Sequence, residues 1–118
     1  ITFNKNTAKK CRVLFPDIRI HWLTYFQRHE NQPDRWIPSA DQIAATLDQI
    51  GADGVGLQAN RNVLTKRFLS QLRKKGVTEF HVWTVDDPDD AIFFIREGAY
   101  AVTTNRPGQI KAHINLTQ

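Results

Sequence analysis

With 118 residues, 41% hydrophobic and 24% charged, the chain has the make-up of a globular piece, and no apolar run approaches the ~20 residues that a membrane span requires. The net charge of +4 is spread along the chain, and its clusters Lys9-Lys10-Arg12 and Arg73-Lys74-Lys75 fall on separate predicted helices; nucleic-acid binding would need a basic stripe interleaved with aromatics on one face, so no nucleic-acid partner is expected. Cys11 is the single cysteine, which excludes an internal disulfide and a cysteine-based zinc cluster and leaves it as a small packed apolar residue.

Along the chain, Asn4 caps a predicted helix that runs through Phe15, with Ala8, Cys11 and Phe15 on one side and Pro16 as its stop. The basic clusters fall in last helical turns, where a solvated, dipole-matched helix end explains them. Ile18 to Leu23 is a predicted strand, with His21 and Trp22 on opposite faces and core packing as their default role. The segment from Tyr25 to Pro38, roughly 14 residues, exceeds the usual βα connection of about 2–6. Its aromatics Tyr25, Phe26 and Trp36 mark either a lid over a site or a surface-packed excursion.

Ser39 and Gln42 form a capping box, Ile43, Leu47 and Ile50 recur at helical spacing, and Gly51 ends that helix before the strand Gly54 to Leu57. Gln58 and Asn60 follow at the strand's mouth, where their amides suit a polyol or phosphate oxygen and equally suit loop capping. Thr65 caps a third helix with Phe68, Leu69 and Leu72 inward, ended by Gly76.

Phe80 to Val85, β-branched and aromatic, is the next strand, placing His81, Trp83 and Val85 on one face. Asp87 then caps a helix with Pro88 at its first position and Asp89 and Asp90 at its positive end, so the acidic run reads as helix capping, not a calcium loop. Gly98 stops that helix, Ala99 to Thr104 is a strand, and Asn105-Arg106-Pro107 closes it. Strands joined through helices run parallel under a helical cover, and the echo of Gly51-Ala52-Asp53-Gly54-Val55 in Gly98-Ala99-Tyr100-Ala101-Val102 suits repeated αβ units. The expected domain is one unit over residues 1–118.

Trp83-Thr84-Val85-Asp86-Asp87-Pro88, followed one helix later by Gly98-Ala99-Tyr100-Ala101-Val102-Thr103-Thr104-Asn105-Arg106-Pro107, resembles the C-terminal end of the glycerophosphodiester phosphodiesterase family. That family typically carries Trp-Thr-Val-Asn and then Gly-Val-Asp-Gly-Ile-Ile-Thr-Asp-x-Pro; the departures are Asp86 for Asn, Tyr100 for Asp and Asn105 for Asp. Thr2-Phe3-Asn4 and Gly51-Ala52-Asp53-Gly54-Val55 are similar to two further family segments.

The resemblance implies an α/β fold, the C-terminal part of a TIM (β/α)8 barrel. A whole barrel needs roughly 250 residues, so a missing N-terminal half, or self-association that shields the sheet edges, is expected, and the chain alone should be oligomeric or poorly folded. It also implies a hydrolase of glycerophosphodiesters in lipid and glycerol metabolism, yielding glycerol 3-phosphate and an alcohol.

The family's catalytic His, Glu and Asp and its divalent cation, calcium or magnesium, belong to the missing half, so no catalytic or metal-binding residue is expected here and the fragment alone should be inactive. The substrate-binding candidates are Trp83 and Phe3 on the pocket wall, with Gln58, Asn60 and Arg106 at the strand mouths. His81 is expected as a hydrogen-bonded core histidine. The alternative is a catalytically silent barrel that binds a partner or phosphate ligand. Compartment is left open.

Overall fold

The computed structural model describes the backbone of residues 2–117 and the side chains through residue 112. Its helices begin where a side chain takes over orphan amides of the first turn. Asn4 Oδ1 accepts from the Thr7 amide at 3.0 Å and opens α1, Lys5–Leu14. Ser39 and Gln42 exchange both bonds of the capping box at 3.2 and 2.8 Å and open α2, Ala40–Ile50. Thr65 Oγ1 caps α3, Lys66–Lys74, and Asp87 caps α4, Pro88–Arg96, with Pro88 at its start. Gly51 ends α2 at φ 68°, a left-handed conformation that a side chain would strain.

Four parallel strands lie in the order β1 (His21–Thr24), β4 (Gly54–Gln58), β5 (Phe80–Trp83), β6 (Ala101–Val102). A parallel bridge from Thr2 to Trp22 marks a further strand position before β1. A last helix, α5, spans Pro107–Thr117. Strand positions and helices therefore alternate through the chain, and spatial order follows chain order. Right-handed crossovers with no reversal put every helix on the same face of the sheet, which separates a barrel segment from a doubly wound sheet covered on both sides.

That covered face holds the core. Trp22, Val55, Leu57, Phe80 and Val82 point outward from the strands and are buried with Ala8, Ile43, Leu47, Leu69, Leu72, Ala91 and Phe94 of the helices. The opposite face carries His21, Leu23, Gly54, Gly56, Gln58, His81 and Trp83, aligned by the registers His21 to Gly54, Gly56 to His81 and Gln58 to Trp83.

Three expectations change. The strand predicted from Ile18 starts at His21, because Pro16 and Asp17 turn the chain and Ile18 stays exposed. The strand predicted over Ala99 to Thr104 keeps a regular ladder only at Ala101–Val102, although Tyr100 and Thr103 still donate to Phe80 and Val82 carbonyls. The Tyr25 to Pro38 segment contains an antiparallel pair, β2 (Gln27–Arg28) with β3 (Trp36–Ile37), that carries no alternating signature in so short a run.

The basic helix ends are also more than solvated. Arg12 donates to Gly51 O at 2.7 Å, to Pro16 O at 2.9 Å and to the Asp53 carboxylate, while Arg73 bonds the Glu97 carbonyl and Lys75 pairs with Asp41 at 2.8 Å. They staple neighbouring αβ units. Asp53 also accepts the Ile20 amide at 2.8 Å; burial would raise its carboxyl, but that amide and Arg12 hold it below the ordinary value.

Candidate functional site

In a parallel barrel the loops after the strand C-termini gather at one end, so a site belongs near Tyr25, Gln58, Trp83 and Thr103. There the structure brings three rings together. Phe3 stacks on Tyr25 with centroids 4.6 Å apart, and Trp83 meets both nearly edge-on, at 5.6 Å from Phe3 and 5.5 Å from Tyr25. Phe3 is held from behind, since its carbonyl accepts from Trp22 Nε1 at 3.0 Å.

Phe3 and Tyr25 remain 44% and 57% exposed, a large apolar surface left open at the strand ends. Trp83 Nε1 is buried and finds no acceptor among the described residues. Buried donors are ordinarily paired, so this unpaired N–H sets the Trp83 ring apart from the rest of the sheet's inner face.

The polar candidates are distributed differently. Gln58 stands beside Trp83 in register, but its Oε1 accepts the Phe26 amide at 2.9 Å and so ties down the loop after β1; its NH₂ end keeps the remaining donors. Asn60 caps its own turn, accepting from the Asn62 amide at 3.0 Å. Arg106 donates its backbone N–H to Thr104 Oγ1 at 3.0 Å and leads into α5. Phe3 and Trp83 form one cluster, Gln58 borders it, and Asn60 and Arg106 serve the loops around it.

Tyr25 completes the cluster and was only a rim aromatic in the sequence. Its neighbour Phe26 turns the other way, buried against Phe68 at 5.7 Å, so the long segment is anchored at its first turn and only part of it faces the mouth. Asp86 likewise does not cap a helix. It accepts from Thr104 Oγ1 at 3.0 Å and the Asn105 amide at 2.9 Å, which clamps the loop after β5 to the end of β6. The Asn105 N–H, helped by Thr104, holds the Asp86 carboxyl below its ordinary value.

At the other end of the same face lies a closed polar group. His21 and His81 sit on strands separated by β4, yet their Nδ1 atoms are 2.7 Å apart, because Gly54 and Gly56 leave the intervening strand bare. His21 Nε2 meets Glu79 Oε2 at 2.6 Å, and Glu79 also pairs with Arg19. With Glu79 accepting, His21 donates from Nε2 and accepts at Nδ1 from the His81 N–H. Burial, reinforced by His81, lowers His21 to about 4, and burial lowers His81. His81 is the hydrogen-bonded core histidine expected of it.

The sequence model of the glycerophosphoryl diester phosphodiesterase family matches residues 1–109, which is most of the chain. The chain belongs to that family. The fold agrees: a phosphodiesterase of Oleispira antarctica, solved in complex with the product sn-glycerol-3-phosphate, superimposes with a TM-score of 0.73 at 20% identity, over 97% of this chain and 40% of that one. A glycerophosphodiester phosphodiesterase from Parabacteroides distasonis matches with a TM-score of 0.64 at 22% identity, over 98% of this chain and 42% of that one. This chain thus spans about two fifths of the length of these family barrels. No curated protein matches it.

Proposed function

We propose that this chain forms the C-terminal part of a barrel that hydrolyses glycerophosphodiesters to glycerol 3-phosphate and an alcohol. The observation that carries the reading is the Phe3, Tyr25 and Trp83 cluster at the strand C-termini, where Phe3 and Tyr25 stay exposed. Flat rings pack against the carbons of a glycerol unit and displace water from it, and the Gln58 amide beside them supplies donors for its hydroxyls. Arg106 contributes positive charge at the mouth, which favours approach of a phosphodiester anion.

The same reading places the reacting acid and base, and the calcium or magnesium ion that the resemblance implies, on the part of the barrel outside this chain. Among the described residues no group of three or more His, Cys, Asp or Glu is arranged to hold a metal, and His21, His81 and Glu79 already satisfy one another. These residues do not fit the ion, and no step through it is assigned to them.

The test is glycerol 3-phosphate release from glycerophosphocholine with added calcium or magnesium, by the chain alone, by the complete barrel and by a complete barrel with Trp83→Ala. Release by the complete barrel, cut at least about tenfold by Trp83→Ala and absent from the chain alone, is the expected result. A complete barrel that releases none is a silent binding barrel.

A further inference from the structure

The loop after β1 leaves its strand with two aromatic residues that go opposite ways. Tyr25 stacks on Phe3 at the mouth and stays exposed, whereas Phe26 is buried with its ring 5.7 Å from that of Phe68 on α3. One planar peptide unit joins the two. Both of its polar ends are held: the Tyr25 carbonyl accepts from Thr24 Oγ1 at 2.9 Å, and the Phe26 N–H donates to Gln58 Oε1 at 2.9 Å. We infer that Thr24 and Gln58 are positioning residues that clamp this peptide and so hold the Tyr25 ring as a wall for the substrate. The inference rests on the hydrolase reading above and adds the residues that place one side of its site.

The topology explains why such a clamp is needed. Trp83 stands on β5 and Tyr25 follows β1, with β4 between them, so their 5.5 Å contact crosses the end of β4, where Gln58 lies in register with Trp83. A side chain at that position must leave the crossing open. The bond to Phe26 commits the Gln58 carbonyl end to the loop backbone and leaves the NH₂ end its donors. Thr24 is buried and gives its hydroxyl to the Tyr25 carbonyl, so its effect on a ligand passes through Tyr25. Rotation of the peptide plane would break both bonds at once, and the buried Phe26 ring anchors the chain immediately beyond it. The exposed Tyr25 ring is therefore fixed by backbone contacts behind it, a preorganised wall that need not be ordered when a ligand arrives.

The experiment measures KM and kcat for glycerophosphocholine, and the Kd of sn-glycerol 3-phosphate by calorimetry, in the complete barrel and in its Thr24→Val, Thr24→Ser and Tyr25→Ala variants. Thr24→Val keeps the branched shape and removes the hydroxyl, whereas Thr24→Ser keeps the hydroxyl. Thr24→Val is expected to raise KM and Kd about threefold, with a smaller change in kcat, and Thr24→Ser to stay near the parent values. In a Tyr25→Ala barrel, adding Thr24→Val should change neither constant further, because the group it acts through is gone. Hydrogen exchange at the Phe26 amide reads the other end of the clamp: it should quicken about tenfold in Gln58→Leu and stay slow in Gln58→Glu, whose carboxylate still accepts that N–H.

Equal weakening by Thr24→Val with and without the Tyr25 ring overturns the positioning role and leaves the hydrolase reading standing. So does Phe26 exchange that is the same in Gln58→Leu as in the parent. A complete barrel that binds sn-glycerol 3-phosphate without hydrolysing the diester ends the hydrolase reading, while the Kd values of the same four proteins still decide the clamp. A barrel that binds no sn-glycerol 3-phosphate overturns both.

Discussion

The two ends of the sheet's inner face are built from the same strands but in opposite ways. At the N-terminal end the polar groups on the inner face pair with one another: His81 meets His21, His21 meets Glu79, and Glu79 meets Arg19. At the C-terminal end Phe3 and Tyr25 stand about half exposed against Trp83, whose buried indole N–H has no partner among the described residues. Closed polar networks in a low-dielectric interior hold the strands in register and leave nothing for a ligand to bind. Open groups cost stability, and their place at the loop end of the strands is where a barrel puts its chemistry.

The largest effect should come from filling the floor. A methyl on Gly54 would run into the Glu79 carbonyl oxygen and the His21 imidazole, and the carbonyl is backbone that cannot step aside. Gly54→Ala should therefore destabilise by about 3 kcal/mol in chemical denaturation, with no comparable cost at Gly108, where a methyl meets open space. Equal melting of the two variants would show that the histidine bridge does not depend on the bare strand.

Trp83→Ala at the open end should cost less, about 2 kcal/mol for a half-buried ring, while affecting turnover more than stability. Trp83→Phe, which keeps a ring against Phe3 and Tyr25 but removes the N–H, should recover most of the stability and only part of the activity. If it recovers both fully, the unpaired donor has no role in binding.

Acidification should act on the closed end. His21 is lowered from 6.5 to about 4, so the unfolded chain binds more protons than the folded one as pH falls below 6.5. Stability contributed by the neutral pair is complete above 6.5 and is lost progressively down to about 4; His81, lowered in the same direction, adds to the loss. A melting temperature that falls from pH 7 to pH 4.5, and falls less in a His21→Gln variant, is the expected record. Parallel profiles would assign the acid sensitivity elsewhere.

The smallest effect lies outside both ends. Asp87→Ala removes the oxygen that accepts the Asp89 amide at 2.8 Å and should cost about 1 kcal/mol in thermal melts. A larger loss, with weakened turnover, would mean that α4 also supports the Trp83 loop.

Much of the alternation was legible because its signals are local. Asn4, Ser39 with Gln42, Thr65 and Asp87 each cap the helix they announce, and Gly51 turns left-handed where the helical spacing stops. Phe3 and Trp83 were identified by resemblance and lie in one cluster, whereas the Asn60 amide oxygen, which looked equally suited to a ligand, holds a turn, and Arg106 bonds Thr104 through its backbone N–H. Short runs such as Gln27–Arg28 have too few residues to show a period, so the hairpin was missed. Arg12 looked like a solvated helix end because its partners, Gly51 and Asp53, lie far along the chain.

Caps, stops and apolar periods are properties of a few consecutive residues, and for that reason the order of helices and strands was already written in the chain. Which residues touch across the sheet was not. His21 and His81 are 60 positions apart and meet only because parallel strands align them across two glycines. Phe3, Tyr25 and Trp83 come from three separate strand ends. A pairing of that kind depends on register and on what the intervening strand leaves empty, which no local stretch of residues encodes.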